Sequence, residues 1–194
     1  MTLPTDFVYS ELTARLSPAL KSAHMKSLKR LRYPAWRSNP DAYGLVVFFS
    51  IQVDAKATDP FSGGGFRIEL ENSKQRLPAR GLNGRAMFHQ LLTSDELTTL
   101  LNQQNRVIGS LPKPTPEQVG LYPEGPVRRQ YLEYFERQST FDSVHGWLRY
   151  GSGADVQDWA DLLIPLVQPL IARASAHLSP ERLALGEGCL LAGS

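Results

Sequence analysis

Asp41, Asp54 and Lys56 are the first residues along the chain whose types and order could support chemistry. Two carboxylates can share a divalent cation where the fold brings them together. Between the two acids, however, lies a strand-like apolar run with no turn residue after Gly44. At about 3.3 Å per residue, a straight strand would put Asp41 and Asp54 roughly 40 Å apart, too far for one metal. A second set survives the geometry better. If Asp54 pairs near Gly65, then Ser50 and Gln52 lie opposite Glu69 and Arg67. Asp54, Glu69, Glu71, Arg67 and Gln52 then share one polar sheet face. Carboxylates beside an arginine can hold a metal or a substrate. More often such a face is solvated, with cross-strand ion pairs worth roughly a few tenths of a kcal/mol each. The solvated face is the expectation carried forward.

The element that must position these residues is a hairpin over Tyr43–Glu71. Leu45, Val47, Phe49, Ile51 and Val53 fall on one side of an extended strand, and Phe66, Ile68 and Leu70 on one side of the next. Arg67, Glu69 and Glu71 take the other side, the period of two expected of a half-buried antiparallel pair. Asp59-Pro60 and Gly63-Gly64-Gly65 are the turn signals between them. Ahead of the hairpin, Val8, Leu12, Leu16 and Leu20 predict an amphipathic helix capped by Thr5, with Ser17-Pro18 kinking it or dividing it in two. A short strand is expected around Arg85–Phe88. A helix is expected from Ser94, with Leu97, Leu100, Leu101 and Ile108 on its apolar side. Leu111–Pro126, with five prolines, reads as a rigid surface loop, and Pro126 as the start of a helix through Tyr131, Tyr134 and Phe135. Trp147–Tyr150 predicts a last short strand. After the turn at Gly151-Ser152-Gly153, a terminal helix follows that Pro165 and Pro169 bend or loosen.

The charge is uneven. Leu12 to Ser94 holds thirteen Lys and Arg against five Asp and Glu, a net +8, whereas Asp95 to the end holds eight against twelve, a net −4. Lys26, Lys29, Arg30, Arg32 and Arg37, interleaved with Tyr33 and Trp36, could hold a nucleic-acid backbone and stack on bases. Lys74, Arg76 and Arg80 form a second basic stretch. The plainer reading makes Leu28, Leu31, Tyr33 and Trp36 core contacts at a helix-to-sheet junction, with the lysines solvated. It also makes the charge split an internal match between packed halves.

Several classes have no sequence support. His24, His89, His145 and His177 are scattered, without the close spacing of a helix-borne zinc site. There is no Gly-x-Ser-x-Gly elbow and no phosphate-cradling Gly-Lys loop. The Gly63-Gly64-Gly65 run precedes a strand, not a helix. No residue pattern calls for a cofactor. No apolar run approaches a membrane span. The lone Cys189 and an N-terminus with no apolar signal core lead to an expected cytoplasmic location.

Two resemblances attach to these residues. Pro40-Asp41 with Asp54-Ala55-Lys56 is similar to the Pro-Asp…Asp/Glu-x-Lys signature of a large nuclease superfamily, over those five residues alone. That resemblance implies metal-dependent phosphodiester hydrolysis. Gly64-Gly65-Phe66-Arg67-Ile68-Glu69-Leu70, together with Trp147-Leu148-Arg149-Tyr150 and Asp155-Val156-Gln157-Asp158-Trp159-Ala160, resembles bacterial domains of unknown function, the family numbered 4304. That likeness implies a helix before an antiparallel sheet and offers no catalytic residue. The expectation is a single α+β domain: an N-terminal helix, an antiparallel sheet centred on the long hairpin, and helices on its apolar face. The expected function is a non-enzymatic, protein-binding module, immunity- or regulator-like. A nucleic-acid binder using 21–37 and 74–85 is the alternative, and a metal-dependent nuclease a third.

Overall fold

The computed structural model describes residues 3–29, 31–54, 63–74, 78, 85–113, 115, 117, 120 and 146–177. The expectations that fall on Arg30, Lys56, Arg76, Arg80, most of the Pro-rich loop, the helix at Pro126 and Cys189 lie outside these residues. The fold is α+β, as the residue pattern predicted: an N-terminal helix, a six-stranded antiparallel sheet and further helices.

Helix α1 (Thr5–Ser22) presents Val8, Leu12, Leu16 and Leu20 on one stripe, all fully buried. The cap position is Pro4, with Thr5 the first helical residue instead of the expected cap, and Pro18 lies inside one helix instead of dividing two. Proline lacks an N–H and therefore gives up one backbone bond, and burial of the four-residue stripe outweighs that loss. The helix ends in a paired closure in which Met25 N–H donates to the Leu20 carbonyl and His24 N–H to that of Lys21. This is a Schellman turn with His24 in the left-handed region at φ 58°.

The strands are β1 (Lys26–Ser27), β2 (Ala35–Arg37), β3 (Val46–Val53), β4 (Gly64–Ser73), β5 (Arg85–Met87) and β6 (Leu148–Tyr150). They lie in the order β1-β2-β3-β4-β5, and β6 also pairs with β4. The outer edge of β4 is therefore shared: Gly64–Phe66 pair with β6, and Glu69–Glu71 with β5. In the β3–β4 register Ser50 lies opposite Glu69 and Gln52 opposite Arg67, as the alternation required. Asp54 N–H donates to the Gly65 carbonyl at 2.8 Å.

Gly64 and Gly65 belong to the strand, not to a turn. A Cβ on Gly64 would lie 2.3 Å from the Tyr150 ring, so this glycine is where β6 lays an aromatic across bare backbone.

Among the described residues three further α-helices contribute to the core: α2 (Ser94–Ser110), α3 (Gly153–Leu163) and α4 (Val167–His177). Thr93 and Ser152 cap α2 and α3, each in a reciprocal box with the acid three residues on, Glu96 and Asp155. A single 3-10 turn over Ile164–Leu166, holding Pro165, joins α3 to α4, which is the loosening the prolines predicted. Trp159, Val156, Leu163, Val167 and Leu170 cluster with α1 and with Val47, Phe49, Ile51, Phe66, Ile68 and Leu70 in one apolar core. On α2 the buried residues are Leu100, Gln103, Gln104 and Val107, and Leu97, Leu101 and Ile108 are only half-buried. Gln104 explains the rotation. Its side-chain amide donates to the Trp147 carbonyl and accepts from Arg149 N–H, both at 2.9 Å, so it takes the place of a strand along the edge of β6. No helix among the described residues is long and apolar enough to cross a membrane.

Candidate functional site

Register places the polar residues of the second sheet face in rows. One row runs Lys26, Arg37, Phe48, Glu71, Arg85 across five strands, and the next runs Ala35, Ser50, Glu69, Met87. Gln52 and Arg67 make a third. The expected solvated face is not what forms. Phe48 is 1% exposed, Ser50 5%, and Glu69 and Glu71 3% each, so β3 and β4 are buried on both sides.

A carboxylate taken from water must be paired and hydrogen-bonded or its burial costs several kcal/mol. Glu69 meets that demand in part, since its Oε1 faces a guanidinium without a hydrogen bond. Its Oε1 lies 2.8 Å from Arg67 Nη2, and its Oε2 accepts from Gln52 Nε2 at 2.8 Å and lies 3.1 Å from Arg85 Nη1. Arg85 Nη2 reaches on to Glu71 at 3.5 Å, and Arg67 Nη2 also donates to Gln52 Oε1 at 2.8 Å. The Arg67 guanidinium lies 4.8 Å from the centroid of the Trp147 ring, which shields the pair on that side. Two acids and two arginines thus alternate in one lattice across β4 and β5, in which Glu69 Oε1 and Arg67 Nε lack a hydrogen bond. Among the described residues no group of three or more His, Cys, Asp and Glu is placed to hold a metal.

The other candidates separate. Asp54 stands at the far end of β3 from Asp41 and acts on Tyr150. Burial, and then the charge of Asp54, push that hydroxyl up to about 12. Asp41 Oδ1 accepts the N–H groups of Tyr43 at 2.8 Å and Leu45 at 2.9 Å. With Gly44 at φ 75°, Asp41 closes the β2–β3 hairpin turn instead of facing a metal. Trp36 is 4% exposed and packs edge-on against Phe49 at 6.1 Å, so it is a core residue, unavailable to stack on a base. Lys26, Lys29, Arg32 and Lys74 are exposed and Arg37 half-buried.

Two participants in this lattice fall outside the candidates that the residue pattern offers. Arg85 counts there with the basic stretch that follows the hairpin, although alternation along Arg85-Ala86-Met87 puts it on the polar side of a strand. Trp147 counts there as a strand residue. Gln104, which bonds the backbone of Trp147 from α2, leaves no signal, because glutamine is not counted as apolar. The chain finds no match among protein-family models, curated proteins or solved structures.

Proposed function

We propose that this chain is a non-enzymatic protein-binding module, immunity- or regulator-like in role. The observation that supports this reading is that the acids of this sheet face are paired with arginines: Glu69 lies against Arg67 and Arg85 and accepts from Gln52, and Glu71 lies against Arg85. What faces outward in the basic segment is charge; of its two aromatics, Trp36 is turned inward and Tyr33 is half-buried. Phosphate contacts would need only the charge, which keeps nucleic-acid binding as the second reading; stacking on bases would need a ring.

The test is a titration of the purified chain with single- and double-stranded DNA and RNA over a range of salt, with and without Mg²⁺. The binding-module reading expects no cleavage, and no association that persists at physiological ionic strength. Tight binding that falls steeply with salt would move the assignment to nucleic acids. Mg²⁺-dependent cleavage lost in Glu69→Gln would overturn it outright.

A further inference from the structure

Two sets stand out among the cations of the described residues. Arg15, Arg67, Arg85, Arg106 and Arg173 are each paired with an acid inside the fold. Lys21, Lys26, Lys29, Arg32 and Arg37 enter no ion pair among the described residues, and they adjoin one another at the end of α1, on β1 and β2, and on the connection between them. Within that group, Lys26 and Arg37 are directly opposite in the β1–β2 register. Like charges at such a position repel and cost stability. No acid lies anywhere between Leu12 and Pro40 to relieve them. The next residue in their row is the apolar Phe48, which holds Glu71 one strand further away. His24, in a backbone region that side chains other than glycine rarely adopt, sits between Lys21 and Lys26. A cluster of unrelieved charge and backbone strain in an otherwise consistent fold is where function is expected.

We infer that Lys21, Lys26, Lys29, Arg32 and Arg37 form the docking surface for an acidic polypeptide, whose carboxylates supply the counter-charge the fold withholds. This inference rests on the binding-module reading above. A protein partner is favoured over a nucleic acid because Trp36, one of the two aromatics that could stack on bases, is in the core and the other, Tyr33, is half-buried. β1 is also a two-residue edge bearing a lysine, which disfavours addition of an apolar strand but not of an acidic segment.

The test uses poly-L-glutamate and a short duplex DNA as probes at matched ionic strength, with Lys26→Glu as the variant and Lys113→Glu as an exposed control away from the patch. Poly-L-glutamate binding should weaken with salt, fall about tenfold in Lys26→Glu and stay unchanged in Lys113→Glu. The same Lys26→Glu substitution should raise the melting temperature by about 1 °C, since it converts a repulsive cross-strand pair into an attractive one. Unchanged binding in Lys26→Glu, or a lower melting temperature, overturns the inference. Tighter binding of duplex DNA than of poly-L-glutamate overturns it in favour of a nucleic acid. A cellular protein cross-linked equally by wild type and Lys26→Glu would remove this surface yet leave the binding-module reading standing. Catalytic turnover would remove the reading itself.

Discussion

Glu69 shows how one residue's meaning depends on its neighbours. As a solvated side chain it would tolerate truncation at little cost. Enclosed by Arg67, Arg85 and Gln52 it does not, because its removal takes from two half-buried guanidiniums the carboxylate that they share. Glu69→Ala is expected to lower unfolding free energy by about 3 kcal/mol or more, read as a shift in urea midpoint at unchanged slope. A loss below about 1 kcal/mol would mean that the face is wetter than its burial indicates. His24 predicts the opposite sign. A left-handed non-glycine residue carries roughly 1 kcal/mol of strain, so His24→Gly should stabilise the protein by about that amount. No gain in thermal or urea midpoint would mean that the imidazole makes a compensating contact.

At the scale of elements, α2 is attached mainly by polar tethers. Glu96 at its start accepts from Arg173 of α4 at 3.0 and 2.5 Å, and Arg173 also donates to the Leu91 carbonyl at 2.9 Å. Gln104 grips β6 in the middle, and Arg106 pairs with Asp158 towards the end. The Arg173 guanidinium beside Glu96 holds that carboxyl down at about 2, against an ordinary 4.5. A depressed folded value means that this stabilisation is complete above pH 4.5 and disappears as pH falls towards 2. Wild type should therefore lose its advantage over Glu96→Gln across that window, and their unfolding free energies should converge near its lower end. Parallel curves throughout the window would show that the clamp does not hold α2.

Over the whole molecule, local pattern was a good guide wherever one periodicity decided the outcome. The α1 stripe, the β3–β4 register, the short strand at Arg85 and the proline joint near Pro165 all follow from spacing within a few residues. What escaped is what depends on distant chain. Period two along Arg67-Ile68-Glu69-Leu70-Glu71 correctly separates two faces, but cannot say that the polar one is also enclosed. Arg85 becomes the partner of Glu69 only once β5 lies beside β4. Gly64 looked like a turn residue because nothing near it in sequence announces the Tyr150 ring. For the candidate site, types and placement were legible in Arg67, Glu69, Glu71 and Gln52, and their mutual neutralisation was not.

The divided edge of β4 has a consequence during synthesis. The half that pairs with β5 gains its neighbour soon after it is made. The half at Gly64–Phe66 waits until Leu148–Tyr150 has been translated. At roughly 5–20 residues per second that interval is on the order of ten seconds. Until then this short length of strand lacks its β6 partner and offers one large side chain, Phe66, beside two glycines. The glycines that admit Tyr150 in the finished protein also make the unfinished one a poorer template for aggregation than larger residues would.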